Sequence, residues 1–493
     1  MNVEAPKGLQ PEVEVEEPRL YKAREPIFPK DIKGSYRTFK WRFLIGALTV
    51  YYLLPWLRWP RGEFAPNQAV LIDLANRRFY FFWIEIWPQE FYYVAGLLIM
   101  AGIGLFLITS AVGRAWCGYA CPQTVWTDLF MAVERHIDGD RNAQIKLHNS
   151  PMTAEKRAKR VKKHAAWLGI AMATGGAFVF YFADAPTLLW QLITFQASNV
   201  AYVTIGILTF TTYSLAGLMR EQVCIYMCPW PRIQGAMLDE NSLTITYNDW
   251  RGEPRQRHRK KALEENQPVG DCVDCNACVA VCPMGIDIRN GQQLECITCG
   301  LCIDACDNVM DKVGLPKGLV SYTTFKDYDA AKAGQPPNVS ALRRIFRPRT
   351  ALYFSAWALI GVVMLVTLST RDRLGLTVLH DRNPLYVELS TGEIRNGYTV
   401  NTRNMVTQPR NFRLTLQGLE DHTLTVAGFD DEPARSIEFD VNADVLRSLR
   451  VFVTGPHVGT RAEFEFLLEE LRSDGRTGET STTAATFHGP DRR

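Results

Sequence analysis

The chain has 493 residues, 47% hydrophobic and 22% charged, with a net charge of +3 and 12 cysteines. At about 150 residues per domain, the length suggests roughly three units. The charged fraction excludes a wholly disordered chain, and so small a net charge makes no case for nucleic-acid binding. A mean hydropathy of −0.10 suits a soluble protein, but both the apolar residues and the cysteines are unevenly placed. All twelve cysteines lie between Cys117 and Cys306.

Residues 1–40 are charged and contain proline, which predicts a mobile arm. Five apolar runs follow, at 43–59, 92–112, 165–183, 200–219 and 351–370. About 20 apolar residues as helix cross a bilayer core, so five spans are predicted. The first run begins too late for a cleavable signal peptide. Orientation follows from the basic residues. Lys30, Lys33, Arg37, Lys40 and Arg42 precede the first run. Lys156, Arg157, Lys159, Arg160, Lys162 and Lys163 lie between the second and third. The stretch 186–199 has no Lys or Arg, while Arg255, Arg257, Arg259, Lys260, Lys261, Arg343, Arg344, Arg347 and Arg349 precede the fifth run. The N-terminus is therefore predicted inside and the C-terminus outside. Arg61, Arg77 and Arg78 dissent mildly, in a segment whose aromatic run 79–93 looks interfacial.

Two apolar runs end alike, in Cys117-Gly-Tyr-Ala-Cys121-Pro122 and in Cys224-Ile-Tyr-Met-Cys228-Pro229. Cys224 follows Cys117 by 107 positions, so the chain to about Asp239 reads as a parallel duplication of a helical hairpin. Residues i and i+4 share an α-helical face, and the following proline ends or kinks the helix. Such a pair can chelate a soft metal or cycle between thiols and a disulfide. Two facing pairs could form a four-thiolate site suited to Cu(I), zinc or iron–sulfur. Arg114 and Arg220 stand where they could lower a thiol pKa or anchor the helix at headgroups. A cysteine in a membrane helix can also be a small packing residue. Met227 and Met237 are soft donors better explained by lipid or core contacts. His136, His148 and His164 lack helical ligand spacing and read as surface histidines. His258 lies in a basic run that suits phospholipid headgroups. No dinucleotide motif or P-loop is present.

The segment Cys272-Val-Asp-Cys275-Asn-Ala-Cys278-Val-Ala-Val-Cys282-Pro283 has C-x2-C-x2-C-x3-C-P spacing. The pattern recurs as Cys296-Ile-Thr-Cys299-Gly-Leu-Cys302-Ile-Asp-Ala-Cys306. This is the two-cluster bacterial ferredoxin pattern, in which the fourth cysteine ligates the other cluster. The predicted [4Fe–4S] ligand sets are Cys272, Cys275, Cys278 and Cys306, and Cys296, Cys299, Cys302 and Cys282. Zinc sites pair two C-x2-C knuckles instead, and disulfides do not suit a cytoplasmic segment. The second run ends in Cys306-Asp307 without the usual proline, which predicts an altered turn there.

Beyond the fifth run, short alternating segments recur at 376–380, 384–389, 398–406, 411–417, 424–427, 435–441, 450–454 and 463–468. They predict an antiparallel sandwich of immunoglobulin type, serving as a docking module or a passive cap. No cluster of His, Met or acidic residues stands out there as a copper site. The Thr/Gly-rich tail after Arg472 reads as disordered.

Duplicated C-x3-C-P, a two-cluster insert, a fifth span and a sandwich together resemble the CcoG/FixG/RdxA family of cytochrome c oxidase accessory proteins. The resemblance covers nearly the whole chain and is strongest over Gly113-Arg-Ala-Trp-Cys117-Gly-Tyr-Ala-Cys121-Pro-Gln-Thr-Val-Trp-Thr-Asp-Leu-Phe130. It implies assembly of cbb3-type oxidase in the inner membrane of Gram-negative bacteria, with reduction of Cu(II) to Cu(I). Clusters reduced on the cytoplasmic side would then pass single electrons to copper, as substrate or transient ligand, near Cys117, Cys121, Cys224 and Cys228. Expected partners are membrane lipid, copper chaperones or oxidase assembly factors, a quinol or flavoprotein donor and a second copy as a homodimer; nucleic acid is not among them. A second reading is a quinol dehydrogenase similar to NapH-type proteins, and a third is an assembly scaffold with structural clusters.

The fold class expected is thus a polytopic α-helical membrane protein of five spans. It carries a cytoplasmic ferredoxin-like insert with two [4Fe–4S] clusters and a C-terminal all-β immunoglobulin-like domain. The divisions are an arm (1–40), a duplicated four-helix core (41–240), the insert and linker (241–350), the fifth span (351–370), the outer sandwich (371–475) and the tail (476–493).

Overall fold

The structure, a computed structural model, describes residues 26–62, 65–335, 347–406, 408–429, 432–443, 445–472 and 477–491. Most of the expected arm, residues 1–25, lies outside them, as do Arg343 and Arg344. Helices of eight or more residues are α1 (Ser35–Leu53), α2 (Tyr92–Val112), α3 (Pro122–Asp138), α4 (Arg141–Asn149), α5 (Ala154–Val179), α6 (Ala185–Ile193), α7 (Asn199–Thr212), α8 (Trp230–Met237), α9 (Leu301–Val313), α10 (Phe325–Lys332) and α11 (Pro348–Ser369).

The core of every predicted apolar run is helical. Among the described residues three helices, Pro88–Val112, Asn199–Met219 and Pro348–Ser369, are long and apolar enough to cross a membrane. The other two runs sit in helices whose first halves are charged. Helix α1 opens through Arg37, Lys40 and Arg42 and ends at Leu53, just before Pro55. Helix α5 opens with Glu155 and six Lys or Arg residues up to Lys163. The apolar parts are thus shorter than the helices that carry them.

The described residues fall into two compact units, one within 1–44, 108–168 and 213–345, the other within 45–107, 169–212 and 346–493. In the first, the cysteine-rich insert is clamped to helices by buried charge. The Asp304 carboxylate, on α9, accepts the Tyr36 and Arg37 backbone N–H groups at 3.2 and 2.8 Å. It satisfies donors that the start of α1 leaves without intrahelical partners. The Arg37 side chain donates to both oxygens of Asp128 on α3 at 2.9 Å, both groups being buried. Burial alone would push the Asp128 carboxyl up, but Lys40 and Arg37 outweigh it and hold it below its ordinary value. Glu134 is held by Lys163 and Arg220, and Asp138 by Lys163. Strands β4 (Leu243–Tyr247) and β5 (Val320–Thr324) pair antiparallel, and their buried Ile245, Tyr247 and Val320 join the apolar cluster around Cys272 and Cys278. At Asp307, the position without proline, α9 runs on to Val313 and the carboxylate accepts the Gly318 N–H at 3.0 Å.

The second unit holds a three-stranded sheet of Val70–Asp73, Arg78–Phe81 and Ile84–Ile86, counted here as β1–β3, with a sandwich after α11. The sandwich strands are β6 (Leu374–His380), β7 (Val387–Glu388), β8 (Ile394–Asn404), β9 (Arg410–Gln417), β10 (Thr423–Val426), β11 (Ser436–Val441), β12 (Val445–Gly455), β13 (Arg461–Leu471) and β14 (Thr477–His488). One sheet runs β10-β12-β8-β6 with β7 beside β8, and the other runs β11-β9-β13-β14. The predicted alternation is observed. Phe412, Leu414, Leu416, Phe439 and Val441 are buried in one core with Tyr398, Phe464 and Phe466. The tail expectation is corrected, because Thr477–His488 pairs along most of β13 and buries Phe487. Its threonines are good strand formers, a signal masked by the glycines and polar composition.

Candidate iron–sulfur and thiolate sites

The two cysteine runs fold into matching loops. In the first, Asp274 and Asn276 flank Cys275 at φ +46° and +54°; in the second, Thr298 and Gly300 flank Cys299 at +57° and +76°. Left-handed residues are tolerated by Gly and Asn or Asp but costly for a β-branched Thr. The same unusual backbone at equivalent positions of both runs turns successive N–H groups inward. It makes the anion-binding nests common at iron–sulfur sites. Arg289 braces the first loop, donating to Asp274 at 2.7 Å and to Asn276 at 2.5 Å, and is itself paired with Asp287.

Cys272, Cys275, Cys278 and Cys306 line one cavity with Tyr247, Val309, Met310 and Leu319. Cys278, Cys282, Cys296, Cys299 and Cys302 line another with Ile245, Met284 and Leu301. Each cavity draws cysteines from both runs, and Cys278 lines both. Burial pushes the Cys278 thiol up to about 11 and those of Cys282 and Cys306 up to about 12. Mostly buried thiols around an apolar cavity, several of them hydrogen-bonded to backbone groups such as those of Val279, Met284, Ile286 and Thr298, are a donor set that suits a cluster. Among the described residues no group of three or more His, Cys, Asp or Glu converges as a single bound ion would require. The thiols stand apart around a space, which suits a cubane and not zinc.

The C-x3-C-P motifs also fold alike, but not as the α-helix expected. Trp116–Ala120 and Val223–Met227 are π-helical turns. The Cys121 N–H donates to the Trp116 carbonyl at 2.9 Å, and the Cys228 N–H to Val223 at 2.8 Å. Each turn is preceded by a left-handed residue, Gly113 at φ +66° and Arg220 at +47°, again 107 positions apart. Each second cysteine is extended, as a residue before proline must be. π-turns inside helices recur at functional sites.

Cys224 interacts with Cys117, Cys121 and Cys228, and Cys117 with Cys121 and Cys228, although among the described residues no three of them converge on a single ion. Burial pushes Cys117 up to about 11, with Arg114 opposing and Cys121 and Cys228 adding to it. Burial pushes Cys224 up to about 12, with Cys121, Cys117 and Cys228 adding to it. The Cys117 thiol donates to Gln234 Oε1 at 2.9 Å; Gln234 is fully buried and donates in turn to Thr109 Oγ1 at 3.0 Å. Arg114 reaches the Leu294 carbonyl at 2.5 Å, whereas Arg220 binds Glu134 and not a cysteine.

The first motif is docked on the second cysteine run. A Cβ added at Gly118 would stand 2.7 Å from the Ile297 carbonyl oxygen and 3.1–3.2 Å from the Cys299 backbone. The Tyr119 hydroxyl donates to the Cys299 carbonyl at 2.8 Å. Cys117 shares an apolar cluster with Cys299, Ile297 and Met284, and Cys224 and Cys282 pack against it. Nothing in the sequence marks Gln234 or Arg289, and Gly118 and Tyr119 stand out only by lying inside the first C-x3-C-P motif. Of the bland candidates, Met237 is buried, Met227 is exposed, and His164 is held by the Tyr213 hydroxyl at 2.8 Å.

Helices apolar enough to cross a membrane, joined to nested cysteine loops that suit iron–sulfur clusters, define a membrane-associated iron–sulfur protein. Comparison with known proteins agrees. A 4Fe–4S dicluster family model matches residues 219–325, a 4Fe–4S binding domain matches 94–138, and a model described as an Ig-like fold at the C-terminus of FixG matches 364–490. The nitrogen fixation protein FixG of Rhizobium meliloti is 56% identical, over 96% of this chain and 94% of its own. Proteins RdxA and RdxB of Cereibacter sphaeroides are each 52% identical, over 95% and 93% of this chain and 98% and 95% of their own. A solved FixG-related protein from Vibrio parahaemolyticus is 21% identical over 24% of this chain and 97% of its own, at a TM-score of 0.20. The chain belongs to the FixG/RdxA family.

Proposed function

We propose that this protein is a cupric reductase that supplies Cu(I) for assembly of cbb3-type cytochrome c oxidase. The observation that carries the reading is the contact of Gly118 and Tyr119 with the Cys299 backbone, which sets a soft-metal thiol pair against a cluster-ligand loop. When bound through Cys272, Cys275, Cys278 and Cys306, and through Cys282, Cys296, Cys299 and Cys302, [4Fe–4S] clusters supply electrons one at a time. That matches a one-electron reaction, Cu(II) plus one electron giving Cu(I). Cys117, Cys121, Cys224 and Cys228 hold the copper, since thiolates favour the cuprous ion. The raised pKa values of the Cys117 and Cys224 thiols mean that copper must displace protons to bind there. Gln234 fixes the Cys117 side chain, and Gly118 keeps the gap to Cys299 at backbone contact.

In this reading the chain crosses the membrane five times, with the cysteine-rich insert in the cytoplasm and the sandwich outside, as the basic residues favour. Copper chaperones or oxidase assembly factors receive the product, a quinol or flavoprotein supplies the electrons, and a homodimer is the expected assembly. The test uses anaerobically purified full-length protein with its clusters reduced. Cu(II) reduction should be fast and should fail when all four membrane-face cysteines are replaced by Ser. Unchanged reduction and copper binding in that variant would sink the assignment. If the reduced protein instead turned over quinone and ignored copper, the quinol-dehydrogenase reading would replace this one.

A further inference from the structure

Half of the chain's eight histidines gather at one end of the sandwich. His422 packs edge-on against Phe487. A Cβ at Gly489 would stand 2.8 Å from His457 Nδ1. Between these, His380 at the end of β6 and His488 at the end of β14 bring their ring centroids to 5.0 Å with planes tilted by 56°. They are 108 positions apart in sequence, so no local spacing announces them.

A buried amide fixes the chemistry of this pair. Asn396 on β8 is fully buried. Its Nδ2 donates to the His488 carbonyl at 2.8 Å and its Oδ1 accepts the His488 N–H at 2.9 Å, so the backbone of His488 dictates which way the amide points. The same Oδ1 stands 2.9 Å from His380 Nε2. Oδ1 has no proton to give, so Nε2 must carry one, and in the neutral ring it is Nδ1 of His380 that offers the lone pair. A ring N–H spent on a carbonyl-type oxygen while the other nitrogen stays open is how metal-binding histidines are oriented. Neither ring nitrogen of His488 makes a hydrogen bond among the described residues.

The spacing suits one ion. With metal–nitrogen bonds of about 2.0–2.1 Å, each ring centroid lies about 3.2 Å from the metal, and two cis imidazoles put their centroids roughly 4.5–5.2 Å apart. The carboxylate of Asp381, next in sequence to His380, is occupied by Arg450. Two imidazoles and open positions for water suit a borderline divalent ion, and among these Cu(II) binds nitrogen most tightly.

We propose that His380 and His488 form a two-imidazole site for Cu(II), oriented by Asn396. Binding at this site stands whether or not the chain reduces copper. Full-length protein in detergent, with Cys117, Cys121, Cys224 and Cys228 all replaced by Ser to silence thiol binding, is given one equivalent of Cu(II). Its EPR and ESEEM spectra should show coupling to imidazole nitrogen. Adding His380→Gln and His488→Gln should weaken binding about 10–100-fold and abolish that coupling, while His258→Gln leaves both unchanged. Each single variant should lower affinity on its own, with iron–sulfur absorption and melting retained to show that the fold survives. Affinity and imidazole coupling unchanged in the double variant would overturn the site. Loss of copper reduction alone would leave it standing.

Discussion

The two C-x3-C-P motifs have the same backbone and different surroundings. Each has a left-handed residue, a π-helical turn, an extended cysteine and a proline, in the same order. In the first copy the first two of the three residues between the cysteines are Gly118 and Tyr119, which lie on the loop that holds Cys299. The second copy has Ile225 and Tyr226 at those positions. Ile225 packs into the shared apolar cluster, and Tyr226 and Met227 are exposed. Cys117 is buried and bonded to Gln234, whereas Cys224 has no such bond among the described residues. The tyrosine is common to both copies, so the change from Gly118 to Ile225 is what separates the pair seated on the Cys299 loop from the pair that is not.

The largest effect is expected at that seat. Gly118→Val places a branched side chain against backbone, which cannot move aside as a flexible side chain would. The motif and the loop must part. A displacement of about 1 Å at a reacting site can cost roughly 100-fold, so stopped-flow Cu(II) reduction should slow by about that much. Ile225→Val, at the equivalent place, should change the rate less than about threefold by the same reasoning. Equal losses in the two variants would end the asymmetry.

A smaller effect is expected at Gln234. Gln234→Leu removes the acceptor of the Cys117 thiol and the donor to Thr109 Oγ1 in a fully buried place. The cost should be about 1–3 kcal/mol, read as a lower denaturation midpoint of the detergent-solubilised protein. Copper affinity should fall too, if the bond orients the thiol. A stable variant with native affinity would show that Gln234 is only packing.

How much of this was legible differs between the parts for physical reasons. Cluster ligation needs four thiols per cubane, so Cys272 to Cys306 announce themselves by spacing. Sandwich strands bury alternate residues, so Phe412, Leu414 and Leu416 are visible as a period of two. The last strand was missed because its core contribution is nearly confined to Phe487. Helices α1 and α5 looked like plain spans because apolar runs mark only where a helix is greasy, not where it begins. The π-turns were read as α-helix, since C-x3-C fits either. Gln234, Gly118 and Arg289 act through partners far off in sequence, and His380 meets His488 only because two sheets close on Asn396. No pattern within one segment encodes such a meeting.

The mildest test of the comparison is the pair of tyrosines. Tyr119→Phe deletes one hydrogen bond to a carbonyl, worth about 0.5–1.5 kcal/mol, and Tyr226→Phe is the matched change at the equivalent, exposed position. The difference should surface with pH. The Cys117 thiol, ordinarily near 9, is held up to about 11 by burial. A group whose folded pKa is raised favours the folded state below its unfolded value and loses that advantage as pH climbs through the folded one. Protein stripped of its clusters should therefore weaken between about pH 9 and pH 11. Opening the seat around Cys117 lets water in and relieves its burial, so in Tyr119→Phe the weakening should shift to lower pH. In Tyr226→Phe, whose ring is already exposed, it should not. Melting curves of the two variants from pH 8 to pH 11 read this directly. Superimposable curves would mean that Tyr119 does not guard the first thiol.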